Sequence, residues 1–204
     1  KDLLMAGQIK RPSIAALRPD AWALKFLAKT GAGAFGDDGL LSLLIQELEK
    51  EGFRVIGAHD ILHDLLAPKG VLGTITPNQM ALDDINKGIH IAHMLGTIDV
   101  GQACIVQDGL TIAVEAIEGT DEMIKRCQHL LREGQGGVLI KAKKPQQEER
   151  ADLPTIGIQT IINASQAGLI GVAIEAGASI ILDQKKVIAE ADRLGLFVYG
   201  YQHG

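Results

Sequence analysis

The chain has 204 residues, of which 47% are apolar and 22% charged, and its formal net charge at pH 7 is -5. This composition is typical of a globular protein with a buried core, so it excludes a chain that is disordered, collagenous or coiled-coil throughout. The negative charge and the low aromatic content of 3% argue against a dedicated nucleic-acid-binding protein. No apolar run approaches the roughly 18 residues that a membrane span needs.

Helical and strand patterns alternate along the chain. Helices are predicted at 21–29, 37–51, 59–66, 78–95, 120–133, 155–168 and 185–194. Strands are predicted at 2–7, 53–58, 102–107, 110–117, 137–143, 169–175, 179–183 and 196–199. Loops are predicted at 8–20, 31–39, 68–77 and 144–154. Because Asp108-Gly109 joins two strands as a hairpin, we expect a layered α/β fold with a mixed sheet.

Gly31, Gly33 and Gly36 have the spacing of a dinucleotide-binding loop, which would suit an NAD(P)-dependent oxidoreductase. That motif requires a strand before its first glycine, whereas residues 21–29 have helical periodicity. A glycine-rich link between two helices, capped by Asp37 or Asp38, is the favoured interpretation. The oxidoreductase is kept as an alternative.

Histidine and cysteine spacing gives no sign of a complete metal site. His59 with His63, and His90 with His93, could each share a helix face, but no third ligand is marked by spacing. Ordinary solvated or half-buried histidines are therefore favoured. The two cysteines form no CxxC or zinc spacing, and we expect them to be buried free thiols.

The acidic segment 115–122 ends a predicted strand and begins a helix. Thr120 is predicted to cap that helix, and Asp121 and Glu122 lie where negative charge complements the helix dipole. Backbone N–H groups at a helix start bind anions, and carboxylates beside a phosphate require a divalent cation such as Mg²⁺. The segment is therefore either a capped helix start or part of a metal-assisted phosphate site.

A basic segment follows the end of another predicted strand, at the edge where α/β sheets bind ligands. Its cations are Lys141, Lys143, Lys144 and Arg150. Asp152 follows Arg150 and lies three residues before Thr155, which is predicted to cap the next helix with Gly157 in its first turn. An aspartate there either closes a turn or stays ionised among the cations and orients water or holds a metal. The spacing indicates a phosphate site.

Three stretches together carry a family resemblance: VEAIEGTDEMIKR at 114–126, LIKAKKPQQEERADLPTIG at 139–157 and GVAIEAGASIILD at 171–183. The segments KRPSIAALRPDAWALKFLAK and FRVIGAHDIL agree with it. The chain resembles the UDP-2,3-diacylglucosamine pyrophosphatases that are unrelated to the metallophosphoesterases. The resemblance covers nearly the whole chain, and its most specific block is 115–157.

The resemblance implies an enzyme of lipid A biosynthesis. It implies Mg²⁺-dependent hydrolysis of the pyrophosphate of UDP-2,3-diacylglucosamine to UMP and 2,3-diacylglucosamine 1-phosphate, known as lipid X. It further implies a cytoplasmic protein at the inner face of the inner membrane, in transient contact with that membrane, and it is compatible with a homodimer. A non-catalytic module that binds the lipid or the nucleotide is the second alternative.

The resemblance places the family's essential aspartate on Asp152, as a ligand of Mg²⁺ or as the general base. Asp121 is the second candidate metal ligand. The candidate substrate-binding residues are Thr120, Lys141, Lys144, Gln146, Arg150, Thr155 and Gly157. Of these, Lys141, Lys144 and Arg150 would neutralise charge on the phosphoryl oxygens.

The resemblance also implies two domains. Residues 1–52 would be the remnant of a Rossmann-like N-terminal domain with connecting helices, and 53–204 the C-terminal α/β catalytic domain. The chain begins at Lys1, near what resembles the last strand of the first domain. If the family's cleft lies between the domains, we expect the chain alone to carry half a site.

Overall fold

The structure is a computed structural model that describes residues 1–5, 7, 20–30 and 37–202. Within these residues the helices are α1 (Ala21–Thr30), α2 (Asp37–Lys50), α3 (Ala58–Ile61), α4 (Gln79–Thr97), α5 (Thr120–Cys127), α6 (Ile158–Gln166) and α7 (Gln184–Leu194). The strands are β1 (Asp2–Leu4), β2 (Arg54–Ile56), β3 (Gly70–Leu72), β4 (Ala103–Gln107), β5 (Leu110–Val114), β6 (Val138–Lys141), β7 (Thr155–Ile156), β8 (Gly171–Glu175), β9 (Ile180–Ile181) and β10 (Phe197–Tyr201). The glycine motif 31–36 lies outside the described residues.

Six strands form a mixed sheet in the order β3-β10-β8-β6-β4-β5. The central strands β10, β8 and β6 are parallel, while β3 and β4 run antiparallel to the strands beside them. β5 returns beside β4 as the predicted hairpin, and both turn residues, Asp108 and Gly109, have positive φ, as a tight Asp-Gly turn requires. Two small parallel sheets, β1–β2 and β7–β9, lie outside this sheet. The predicted α/β class with a mixed sheet is confirmed.

The sheet carries a hydrophobic core on each face, because alternate residues of a strand point to opposite sides. In β4, Cys104 and Val106 belong to the core that α4 covers, and Ile105 belongs to the opposite core. That opposite core is closed by α5, α6 and α7, which contribute side chains such as Met123 and Ile161. The result is three layers, filled mainly by aliphatic side chains, as the low aromatic content requires.

Several element predictions differ from the structure. The predicted loop 68–77 contains β3, whose three residues pair at the sheet edge and are too few to show an alternating pattern. The helix predicted to end at 133 ends at Cys127, although Leu131 beyond it still packs on the core and so extends the apolar pattern. The helix predicted at 59–66 is α3 followed by a separate 3-10 turn, His63–Leu65.

The two cysteines are free and buried, as expected. Burial raises the pKa of Cys104 to about 12. Burial also raises the pKa of Cys127 to about 11, although the neighbouring Arg126 opposes that rise. Both thiols therefore stay protonated near neutral pH and act as packing groups. No helix among the described residues is long and apolar enough to cross a membrane.

We predict that Gly88→Ala destabilises the protein, since α4 lies against β6 at this position. A Cβ atom at Gly88 would lie 2.4 Å from Cδ1 of Ile140. Overpacking costs about 1–3 kcal/mol and the gain in helix propensity returns about 1 kcal/mol, so urea unfolding should show a net loss of order 1 kcal/mol. Adding Ile140→Val removes Cδ1, while Cγ1 at 2.6 Å from the new Cβ atom remains, so it should restore only part of that loss. A Gly88→Ala variant as stable as the parent would contradict this packing.

Candidate functional site

The candidate site lies at one edge of the six-stranded sheet. The carboxyl ends of β5, β6 and β8 meet there with the start of β4, since Ala103 pairs with Lys141 and Cys104 with Val114. A cavity of about 480 Å³, called here the site cavity, opens beside this edge. Its lining includes Gln102, Lys141, Arg150, Asp152, Thr155 and His59. The loop between β6 and β7 forms one side, and α3 with residues near the N-terminus forms another.

Lys141 is a buried cation at this cavity, with only 6% of its surface exposed. Its Nζ donates to Oγ1 of Thr120 at 3.0 Å and to the backbone oxygen of Thr155 at 3.2 Å. Burial lowers the pKa of Lys141, and the carboxylates of Glu115, Asp121 and Asp152 oppose that lowering. The ammonium group is thus held in place by two hydrogen bonds and stabilised by acids from three segments.

Thr120 connects this lysine to Glu115. Its hydroxyl donates to Oε1 of Glu115 at 2.6 Å, while the other carboxylate oxygen accepts the backbone N–H of Gln102 at 3.0 Å. The prediction that Thr120 caps α5 is therefore wrong: Gly119, with φ of 80°, holds the cap position. The hydroxyl of Thr120 serves the lysine–glutamate pair instead.

Asp121 is fixed from the neighbouring helix. Its Oδ1 accepts a hydrogen bond from Nδ2 of Asn163 on α6 at 3.1 Å.

The prediction that Thr155 caps α6 is also wrong, because Thr155 lies in β7 and Gly157 is the N-cap residue. Thr155 instead offers its backbone oxygen to Lys141 and donates its hydroxyl to the carbonyl of Leu153.

Asp152 is held by a buried glutamine. Nε2 of Gln147 donates to Oδ2 of Asp152 at 2.7 Å and lies 3.3 Å from Oε1 of Gln102. The backbone N–H of Asp152 donates to the carbonyl of Glu148 at 2.9 Å, which closes the chain around the carboxylate. Asp152 thereby has a fixed position in the wall of the site cavity.

The other predicted cations are engaged in ion pairs. Nζ of Lys144 lies 2.7 Å from Oδ1 of Asp99. Arg150 pairs with Glu148 at 2.8 Å and with Glu49 of α2 at 2.6 Å, and both glutamates raise the pKa of its guanidinium. Arg150 also lines the site cavity. Lys143 is bonded to Glu149.

The structure therefore gathers part of the predicted set. Lys141, Arg150, Asp152 and Thr155 meet at the site cavity. Thr120 accepts a hydrogen bond from Lys141, and the charge of Asp121 acts on the same lysine. The remaining predicted residues have other surroundings: Lys144 bonds Asp99, Gln146 donates to the carbonyl of Gly96 at 2.7 Å, and Gly157 caps α6.

Three polar residues of the site were missed as candidates: Gln102, Glu115 and Gln147. Glu115 lies in the acidic segment that the sequence singles out, and its place at the end of a strand is a usable signal. The two glutamines belong to no spacing pattern, and only the pairing of β6 with β4 brings the loop after β6 to Gln102. His59, interpreted as an ordinary histidine, lines the cavity as well.

The carboxylates can be tested for a fit to Mg²⁺. Within the described ranges, no three His, Cys, Asp or Glu side chains are grouped so that they could hold a metal ion. Mg²⁺, however, is usually bound through one or two carboxylates completed by water and substrate phosphates. Asp152 lines the site cavity and is an oxygen ligand of the right type for such a partial set, which water and substrate oxygens would complete. Asp121 offers the same type of ligand but is not among the residues that line the cavity.

Comparison with known proteins finds two family-model matches along the chain. The model of the LpxI N-terminal domain matches residues 1–65, and that of the LpxI C-terminal domain matches residues 68–199. A protein of Caulobacter vibrioides named UDP-2,3-diacylglucosamine pyrophosphatase LpxI is 46% identical over 202 residues, which is 96% of this chain and 72% of that protein. The predicted division after residue 52 stays a prediction. On these matches the chain belongs to the LpxI family of UDP-2,3-diacylglucosamine pyrophosphatases, the family that its sequence resembles.

Proposed function

We propose that this chain hydrolyses the pyrophosphate of UDP-2,3-diacylglucosamine to UMP and lipid X, with Mg²⁺, as a step of lipid A biosynthesis. The proposal is carried by the buried Lys141 ammonium beside Asp152 in the site cavity of an LpxI-family chain. The name of the Caulobacter relative supports the substrate. Two linked phosphates need a cation and a positioned acid, and this edge of the sheet offers both.

Phosphoryl transfer is mainly a matter of positioning and charge neutralisation. Lys141 would contact phosphoryl oxygens from the cavity side, because its amine is already oriented by Thr120 and Thr155. Such a preorganised group stabilises developing charge without the cost of reorganising during the reaction. Arg150 would contribute from the cavity wall, where its pairs with Glu148 and Glu49 keep it in place.

Asp152 would act in one of two ways. It takes a proton from the attacking water, or it donates a carboxylate oxygen to Mg²⁺ with Asp121 as a second ligand. Bound Mg²⁺ supplies positive charge beside the phosphoryl oxygens. In both cases the hydrogen bond from Gln147 orients the carboxylate.

An apolar groove that adjoins the site cavity suits the acyl chains. It has a volume of about 1110 Å³, and Leu65 lines both it and the site cavity. Its apolar wall includes Ile61, Leu62, Leu66 and Ile188. Its lining also includes the polar and charged residues Asp64, Asp183, Gln184, Lys185 and Lys186. Exposed apolar side chains that continue into a charged cavity match a molecule whose acylated sugar is joined to uridine through a pyrophosphate. Because such a lipid resides in a membrane, we place the working protein at the inner face of the inner membrane.

The direct test is phosphorus NMR of the purified chain with UDP-2,3-diacylglucosamine. We expect UMP and lipid X with Mg²⁺ and neither product with EDTA. Asp152→Ala should lower kcat by about three orders of magnitude or more and still bind substrate, whereas Asp83→Ala, on the exposed side of α4, should keep the parent rate. Binding of UMP or lipid X without turnover would favour the non-catalytic module, and turnover in EDTA would contradict the role of Mg²⁺.

Replacing the buried cation should be costly for the reaction. We expect Lys141→Met to lower kcat by about 100-fold or more, since it removes a preorganised donor for phosphoryl oxygens. Lys125→Met removes an exposed lysine on α5 and should change kcat by less than about threefold. Thermal unfolding of both variants separates lost chemistry from lost folding. A folded Lys141→Met variant with nearly normal kcat would refute the role of Lys141.

If the groove holds the acyl chains, a charge placed in it should weaken substrate binding and leave the chemical step unchanged. Leu62→Asp places a charge among apolar side chains, so we expect KM for the diacylated substrate to rise about tenfold while kcat stays within about threefold. Met94→Asp is the matched control, because Met94 on α4 is 60% exposed and Leu62 is 57% exposed. Steady-state kinetics with dispersed substrate would measure both constants. An equal rise of KM in the two variants would argue against the groove.

A further inference from the structure

We propose that Gln147 is a positioning residue that fixes the carboxylate of Asp152 for hydrolysis. This inference rests on the proposed function, in which Asp152 takes part in the reaction. Gln147 lies in the loop after β6 and is only 6% exposed. It was not a candidate from the sequence, and its role follows from the contacts of its amide group.

Both ends of the Gln147 amide are used. Nε2 donates to Oδ2 of Asp152 at 2.7 Å, and Oε1 accepts the backbone N–H of Lys144 at 3.0 Å. A flipped amide would turn its oxygen toward a carboxylate and its NH₂ group toward an N–H donor, and neither contact can be a hydrogen bond. The amide therefore has one satisfied orientation, and in that orientation a donor points at Asp152.

The glutamine is itself tied to the backbone and to the sheet. Its own N–H donates to the carbonyl of Lys144 at 3.1 Å. Its Nε2 is 3.3 Å from Oε1 of Gln102, the residue that precedes β4. The N–H of Lys143, at the start of the same loop, donates to the buried Glu175 at the end of β8 at 2.9 Å. The loop that holds the carboxylate of Asp152 is therefore hydrogen-bonded to the start of β4 and to the end of β8.

A misplacement of about 1 Å can cost about 100-fold in rate, and partners that orient a functional group typically contribute 10- to 100-fold. A residue that only filled space would affect folding and leave the chemistry of the folded protein unchanged. Loss of Gln147 should instead lower kcat in protein that remains folded. The substrate still meets Lys141 and the apolar groove, so KM should change little.

The test compares Gln147→Ala and Gln147→Glu with Gln107→Glu. Gln107 is a matched control because it is fully buried and its amide makes two hydrogen bonds with the backbone of Arg132, both at 2.9 Å, at the hairpin end of β4. We expect Gln147→Ala to lower kcat 10- to 100-fold with KM within about threefold. Gln147→Glu, which faces Asp152 with a second carboxylate, should lose at least as much.

Gln107→Glu should lower the unfolding temperature by a similar amount to Gln147→Glu and keep kcat within about threefold of the parent. Equal losses of kcat in the two glutamate variants, or a normal kcat in Gln147→Ala, would overturn the proposal.

A second readout is independent of activity. Crystal structures of the parent chain and of Gln147→Ala should show the Asp152 carboxylate in one orientation in the parent and in a different or mixed orientation in the variant. An unchanged orientation would overturn the positioning role. If the parent does not hydrolyse UDP-2,3-diacylglucosamine, the proposed function fails, and this comparison still decides whether Gln147 holds Asp152.

Discussion

The buried ammonium group of Lys141 is the constraint around which the site is built. An uncompensated charge in a protein interior costs several kcal/mol or more, so the fold must bring acids and acceptors to it. Glu115 follows β5, Asp121 lies in α5 and Asp152 lies in the loop before β7. Tyr201, at the end of β10, donates its hydroxyl to the carbonyl of Lys141 at 2.9 Å and fixes the same residue from another strand. The contacts that make burial of Lys141 possible are therefore gathered at the same sheet edge as the candidate site.

Local pattern was sufficient for most of the scaffold. The helices on both faces of the sheet and the Asp108-Gly109 hairpin depend on periodicity and turn chemistry that neighbouring residues supply. β3 could not be recognised in this way, since its place is decided by pairing with β10, which is remote in the chain. The same reason explains the two misassigned caps, because the hydroxyl of Thr120 meets Lys141 and the carbonyl of Thr155 meets the same amine only after the strands have paired.

The location of the candidate site could be predicted from the sequence, but its individual side-chain contacts could not. Cations after one strand and acids after another indicate a charged sheet edge, which the structure contains. Partners far away in sequence decide where the cations lie: Asp99 binds Lys144, which does not line the cavity, and Glu49 binds Arg150, which does. Glutamine forms no motif, so the contact between Gln147 and Asp152 could be read only from the folded loop.

The charge balance around Lys141 is a physical reason to include a divalent cation in the proposed function. The carboxylates of Glu115, Asp121 and Asp152 all act electrostatically on Lys141, and the nearby Arg150 is already paired with two glutamates. The formal charge of this group is therefore negative before any substrate arrives. A pyrophosphate would add further negative charge, and its repulsion from the carboxylates would oppose binding at short range. In the proposed reaction, Asp152 in the cavity wall would hold a divalent cation, whose positive charge would offset that repulsion.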